Sequence, residues 1–195
     1  SGFHQGVLQV CKACVISGVY TNTFGNVSRT TYNAYEMVAA GADVIFAAGG
    51  SAGTGAILNV ASNTKALVIG VDQDEFYTTF QGGNGSFHEP STHLLTSVLK
   101  DTGVGVVNSV KDGRDGIFTS GTRVIGVAKG AVKLAECHNS CHHISEKSKD
   151  AINRTIKRLI DSLITTNVNA ESSQVLVPRI SDYPEFQYQK LENGT

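Results

Sequence analysis

Apolar runs of strand length alternate with amphipathic stretches of helix length along most of the chain. The run CVISGVY, residues 14–20, predicts a strand, and SRTTYNAYEMVAAGA, 28–42, a helix with Ser28 as its N-cap. A second strand is expected over DVIFAAG, 43–49, and a short helix over TGAILNVASN, 54–63. The third strand, ALVIGVD, 66–72, is nearly continuous in Val, Ile and Leu, as in a sheet covered on both faces. A polar loop is expected over 76–92, then LLTSVLK at 94–100 and a helix near 102–112. A strand pair follows in TRVIGVA and AVKLAE, 122–136, and a helix of roughly 20 residues starts near Ser145. The β-α-β-α-β order predicts an α/β fold with a doubly wound, mostly parallel sheet. Residues 170–195 hold two of the three prolines and no clear periodicity. They are expected to form an extended C-terminal tail, docked or disordered, after an α/β region over 1–169.

Composition narrows the classes of function. The 195 residues suit about one domain and can bury a real core. A net charge of −1 and a pI near 6.6 supply no basic face, so nucleic acid is not an expected partner. Apolar runs stop well short of the roughly 18 residues a membrane span requires, so no span is expected. The chain opens on Ser1, which suggests a processed product or a piece of something longer.

The cysteines come as two close pairs, Cys11/Cys14 in CKAC and Cys137/Cys141 in CHNSC. Such pairs suit disulfides, a metal or redox chemistry. Asn26, Asn84, Asn153 and Asn193 each open a glycosylation sequon. Sequons and paired cysteines together point to a secreted or cell-surface glycoprotein with local disulfides. Zinc is the competing reading of CHNSCHH, where Cys137, His138, Cys141, His142 and His143 fall within one short stretch. CKAC closes an expected helix instead of opening one, which argues against a thioredoxin-type centre.

The most informative stretch is ADVIFAAGGSAGTGAIL, 42–58, an apolar strand, a glycine turn and a helix start. As a phosphate loop it lacks the following lysine, and Gly50, Gly53 and Gly55 stand in the wrong order for a dinucleotide fingerprint. Gly49-Gly50-Ser51-Ala52-Gly53 does match the G-x-S-x-G nucleophile elbow. Asp72 could then serve as the acid, and His88, His93, His138, His142 or His143 as the base. A third reading is a backbone-lined ligand turn, in which glycines admit a small molecule and the helix start offers N–H donors.

GADVIFAAGGSAGTGAIL, VIGVDQD, LLTSVLKD and GVAKGAVKLAECH also occur here in one order. In that order they resemble the basic membrane protein lipoproteins, the purine-nucleoside-receptor type of ABC-transporter substrate-binding protein. The resemblance runs from about Phe3 to about Ile164. It implies a type I periplasmic-binding fold, of which this chain covers the second lobe and the returning segments. It further implies a nucleoside ligand, with Asp72 accepting from ribose hydroxyls and Lys100 as a nearby cationic donor. Phe46, Gly49, Gly50, Ser51 and Gly53 would then form pocket wall and backbone contacts. Without the resemblance, Asp72 reads as a helix N-cap and Lys100 as a solvated surface charge. Members of that family carry further chain before the point matching Phe3, which builds most of the first lobe.

The leading expectation is therefore a non-enzymatic, secreted or surface substrate-binding protein for a purine nucleoside, with no cofactor. A partner chain would supply the first lobe, or homo-oligomeric neighbours would cover the open face. One alternative is a structural glycoprotein subunit of an extracellular assembly, and another is a serine hydrolase built on Ser51.

Overall fold

A computed structural model describes residues 2–83 and 88–166. The expected tail over 170–195, with Asn193, and the sequon residue Asn84 lie outside the described residues. The chain divides into two compact units, one formed by its two ends and the other by Asn22–Ile160. In the first, helix α1 runs Gly2–Val10 and is followed by a turn closed by the Cys11–Cys14 disulfide, with Cα atoms 5.4 Å apart. CKAC thus closes a helix, as its position suggested.

The second unit carries the sheet. Helix α2 spans Val27–Ala39, strand β1 Val44–Phe46, helix α3 Gly50–Asn63 and strand β2 Leu67–Asp72. A short helix α4, Glu75–Thr78, and a 3-10 turn, Glu89–His93, lead into strand β3, Leu94–Lys100. Helix α5, Thr102–Arg114, strand β4, Val132–Leu134, a 3-10 turn, His138–His143, and helix α6, Glu146–Ile160, complete it. The sheet order is β1-β2-β3-β4, with β1, β2 and β3 parallel and β4 antiparallel to β3. This is the expected mostly parallel α/β sheet.

Burial explains why the first half of this unit reads so clearly in the sequence. Ala34 of α2, Ile45 of β1, Ala56, Ile57, Val60 and Ala61 of α3, and Val68 of β2 share one core with Phe76, Phe80 and Leu94. Central β2 is paired on both edges, so its apolar run meets neighbours on both sides. Small residues on α3 let it lie close against both the sheet and α2, and Tyr35 of α2 donates its hydroxyl to the Asn59 carbonyl at 3.2 Å.

Several expectations need correcting. Residues 14–20 and 122–128 are not strands. Val15 and Val124 stand 87% and 61% exposed, and a β-prone run with no ladder partner does not make a strand. Helix α3 begins at Gly50, four residues earlier than its side-chain pattern suggests, because a backbone carbonyl caps it. The N-cap of α2 is Asn26, not Ser28, and its side-chain oxygen accepts from the Arg29 N–H at 2.9 Å. Helix α6 has 15 residues, fewer than expected. Within the expected loop 76–92, residues up to Thr78 belong to α4 and 89–92 to a 3-10 turn.

Candidate functional site

Three parallel neighbours end at one edge of the sheet. Phe46 closes β1, Asp72 closes β2 and Lys100 closes β3. The glycine turn follows β1 directly, with Gly49 as the cap of α3 and Gly50 and Ser51 in its first turn. The seven residues singled out from the sequence therefore gather at the carboxyl edge of one sheet. In open α/β sheets this edge is where small ligands approach.

Asp72 and Lys100 meet directly. Lys100 Nζ lies 2.7 Å from Asp72 Oδ1, with the two side chains 62% and 46% exposed. An ion pair this wet contributes roughly 0–1 kcal/mol to stability. It leaves both groups reachable, and a ligand hydroxyl can displace one of them at small cost. The partner choice has a local cause. The adjacent Asp101 is engaged by Lys133 Nζ at 3.1 Å, and chiefly this hydrogen bond holds its carboxyl below the usual carboxylate range. Lys100 is left to Asp72.

Asp72 is not a helix N-cap. That task falls to Asp74, whose Oδ1 accepts from the Phe76 N–H at 3.2 Å. Asp72 instead turns the chain at φ +69°, a left-handed conformation that costs a non-glycine residue on the order of 1 kcal/mol. The carboxylate is left out of capping and faces Lys100 instead.

The turn after β1 is built on close approach. Gly50 sits at φ +56°, and a Cβ on Gly53 would stand 2.9 Å from the Ala47 carbonyl oxygen. The start of α3 is capped from outside: the Phe24 carbonyl accepts from the Ala52 N–H at 2.9 Å and from the Ser51 hydroxyl at 3.0 Å. This explains the early helix start. For the nucleophile-elbow reading, the acceptor that Ser51 meets is a carbonyl, which cannot act as a general base.

Beneath the edge lies a polar group that sequence reasoning missed. Glu75 is 3% exposed, accepts from Thr54 Oγ1 of α3 at 2.9 Å and also from the Thr79 hydroxyl. Its own N–H donates to Ser97 Oγ of β3 at 3.1 Å. One residue thus ties α3, which carries the glycine turn, to β3, which carries Lys100. The only hint in the sequence was the Asp-Gln-Asp-Glu run after β2, a helix-start signature that the polar loop masked.

The cysteine-histidine cluster resolves into a clip. Cys137 and Cys141 are joined as a disulfide, with Cα atoms 4.8 Å apart, so their sulfurs are not free thiolates. Among the described residues no three His, Cys, Asp or Glu side chains are arranged to hold a metal. His138 reaches Asp74 Oδ2 at 2.9 Å through Nε2 and stacks on Phe76 at 4.0 Å. His143, an exposed residue, is held below the usual imidazole range by partial desolvation first, then by His142 and His93. Of the sequon residues, Asn26 and Asn153 are exposed. Beside Lys100, a groove of about 550 Å³ is lined by Val106, Val110, Ile125, Val132 and Arg123. No helix among the described residues is long and apolar enough to cross a membrane.

The mostly parallel sheet thus presents a glycine turn, a carboxylate and a cation at its carboxyl edge. The profile of the Bmp family, described as ABC transporter substrate-binding protein PnrA-like, matches residues 1–169, and the chain belongs to that family. Among curated relatives, the ABC transporter nucleoside-binding protein BmpA of Lactococcus lactis subsp. cremoris is 28% identical over 84% of this chain and 47% of its own length. The CD4+ T-cell-stimulating antigen of Listeria monocytogenes is 31% identical over 78% of this chain and 42% of its own. A solved solute-binding protein of an ABC transporter system from Aeropyrum pernix superposes with a TM-score of 0.58 at 17% identity. It covers 75% of this chain and 46% of the other. The chain spans less than half the length of these relatives, and the resemblance drawn from the four motifs is borne out.

Proposed function

We propose that this chain is the ligand-binding second lobe of a nucleoside-binding protein that works without catalysis. The observation that carries the reading is the exposed Asp72–Lys100 pair at the carboxyl edge of β2 and β3. A ribose offers a vicinal diol, which one carboxylate can accept from through both oxygens. Lys100 then stands beside the carboxylate as a donor to the ligand. Phe46, Gly49, Gly50, Ser51 and Gly53 supply the wall on the β1 side. Membership of a family whose relative is named as nucleoside-binding supports the purine nucleoside as the ligand class. The first lobe comes from a preceding segment or a partner chain, since the relatives are about twice as long as the part matched. The cysteine pairs and the sequons at Asn26, Asn84, Asn153 and Asn193 fit a secreted or surface location.

The test is calorimetric titration of the protein from its native source with inosine and guanosine, repeated on Asp72→Asn. A charged hydrogen bond of about 2 kcal/mol predicts a loss of at least tenfold in affinity for the variant. Saturable binding that Asp72→Asn leaves intact overturns the site, and no binding by the two-lobed protein overturns the function.

One observation favours a second reading, a structural subunit of an extracellular assembly. Val106, Val107 and Val110 of α5 are 63%, 51% and 67% exposed, an apolar face that neighbouring copies or another chain would cover. A subunit of that kind would show a concentration-dependent mass in ultracentrifugation without any response to nucleoside.

A further inference from the structure

We infer that His138 is a positioning residue for the ligand-binding carboxylate of Asp72: through Asp74 it holds the Asp72 turn in its binding geometry. The inference rests on the function proposed above and extends it to a segment more than 60 residues away in sequence. The turn after β2 is short and costly. Asp72 is left-handed, Gln73 N–H returns to the Val71 carbonyl at 2.8 Å, and Asp74 caps α4. A residue in such a conformation persists only where its surroundings over-determine it.

Asp74 is the hub of that constraint. Oδ1 accepts from the Phe76 N–H at 3.2 Å, and Oδ2 lies 2.9 Å from His138 Nε2. Asp74 as a carboxylate only accepts, so Nε2 carries the proton and donates. The imidazole is placed with little freedom: its side chain is 13% exposed, parallel to Phe76 within 9° at 4.0 Å and edge-on to Tyr77 at 5.2 Å.

The backbone behind it is equally fixed. The Cys137–Cys141 disulfide closes the turn around His138, and Ser140, fully buried, donates Oγ to the Leu94 carbonyl at 2.5 Å. Asn139 Nδ2 donates to Ser91 Oγ at 2.9 Å. The clip is therefore seated on the start of β3, while its histidine grips the exit of β2. Two parallel strands that end in the ligand pair are braced against each other from outside the sheet.

The test compares His138→Phe, which keeps the stack and loses the donor, with His138→Gln, which restores an amide donor. Two readouts are taken: inosine affinity by titration, and amide hydrogen exchange at residues 73–77 against that of α3. Positioning predicts that His138→Phe weakens inosine binding about tenfold. Exchange at 73–77 rises about tenfold while α3 stays protected, and His138→Gln recovers most of both. Equal losses in both variants, or exchange that rises in α3 to the same extent, would show a merely structural role and overturn the inference. Unchanged exchange at 73–77 in His138→Phe overturns it as well. If the unaltered protein binds no inosine, the proposed function fails by itself, and the exchange comparison still decides whether His138 holds the turn.

Discussion

Residues 22–99 and residues 100–160 belong to one unit, yet they are built in opposite ways. Among the described residues, the first stretch contains every buried apolar side chain except Ala131. In the second, α5 and α6 bury no residue completely, and the buried positions are Ala131 and Ser140. Helix α3 is held by apolar contact along its length, whereas the segment after β3 is held at a few points by hydrogen bonds, the Cys137–Cys141 disulfide and surface ion pairs. The difference shows how the site is divided. The glycine turn and Asp72 stand on a packed base, while Lys100 stands at the border where that base ends.

The sharpest way to break this comparison is to cut the same kind of side chain on both sides of the border. Ile57→Ala in α3 should cost about 3 kcal/mol, because Ile57 is fully buried and the site cannot collapse. Val110→Ser in α5 should cost less than about 0.5 kcal/mol. Urea unfolding of both variants measures this, and equal costs would mean that α5 is packed as tightly as α3.

A smaller effect is expected at the hinge of the packed side. Gly53→Ala places a methyl group 2.9 Å from a backbone oxygen that has little room to move. Overpacking of this kind costs on the order of 1–3 kcal/mol, read as a fall in melting temperature. Smaller again is Ser140→Ala, which removes the buried hydroxyl at the foot of the clip. A loss of about 1 kcal/mol is expected by thermal unfolding. A cost as large as that of Ile57→Ala would show that one polar pin holds the second stretch together.

The smallest effect is acid sensitivity. Partial desolvation, aided by His142 and His93, lowers the proton affinity of His143 in the folded chain below its ordinary 6.5, although the residue is exposed and solvent screening keeps the effect small. The unfolded chain then binds more protons, so this contribution is present above pH 6.5 and is lost as pH falls through the folded value. Stability curves of the unaltered protein and of His143→Gln should therefore draw together at neutral pH and diverge below 6.5, with the variant less acid-sensitive. Parallel curves would remove His143 from the account.

How well each part could be read from the sequence follows the same border. Strands β1 and β2 and helices α2 and α3 are marked by apolar periodicity because their side chains are buried, and burial writes periodicity. The segments 14–20 and 122–128 have the same β-branched composition but meet no neighbouring strand, and composition carries no information about a partner. Asp72 and Lys100 stood out only through the resemblance of VIGVDQD and LLTSVLKD to the family's motifs, because taken alone they read as an N-cap and a surface charge. Glu75, Thr54 and Ser97 were not, because their contacts join residues 21 and 22 positions apart. The pairing of His138 with Asp74 spans 64 positions and leaves no local signal. Asp74 as the α4 cap, by contrast, follows a rule that could have been applied to DQDEF.

The four residues from Thr23 to Asn26 support two helices at once: the Phe24 carbonyl caps α3, and the Asn26 side chain caps α2. Asn26 also opens a sequon, and the two uses fall on different atoms of one amide. Capping employs Oδ1, whereas a sugar would be joined through Nδ2. Glycosylation at this position is thus chemically compatible with the fold, and it would set a polar bulk beside the very carbonyl that anchors the glycine turn.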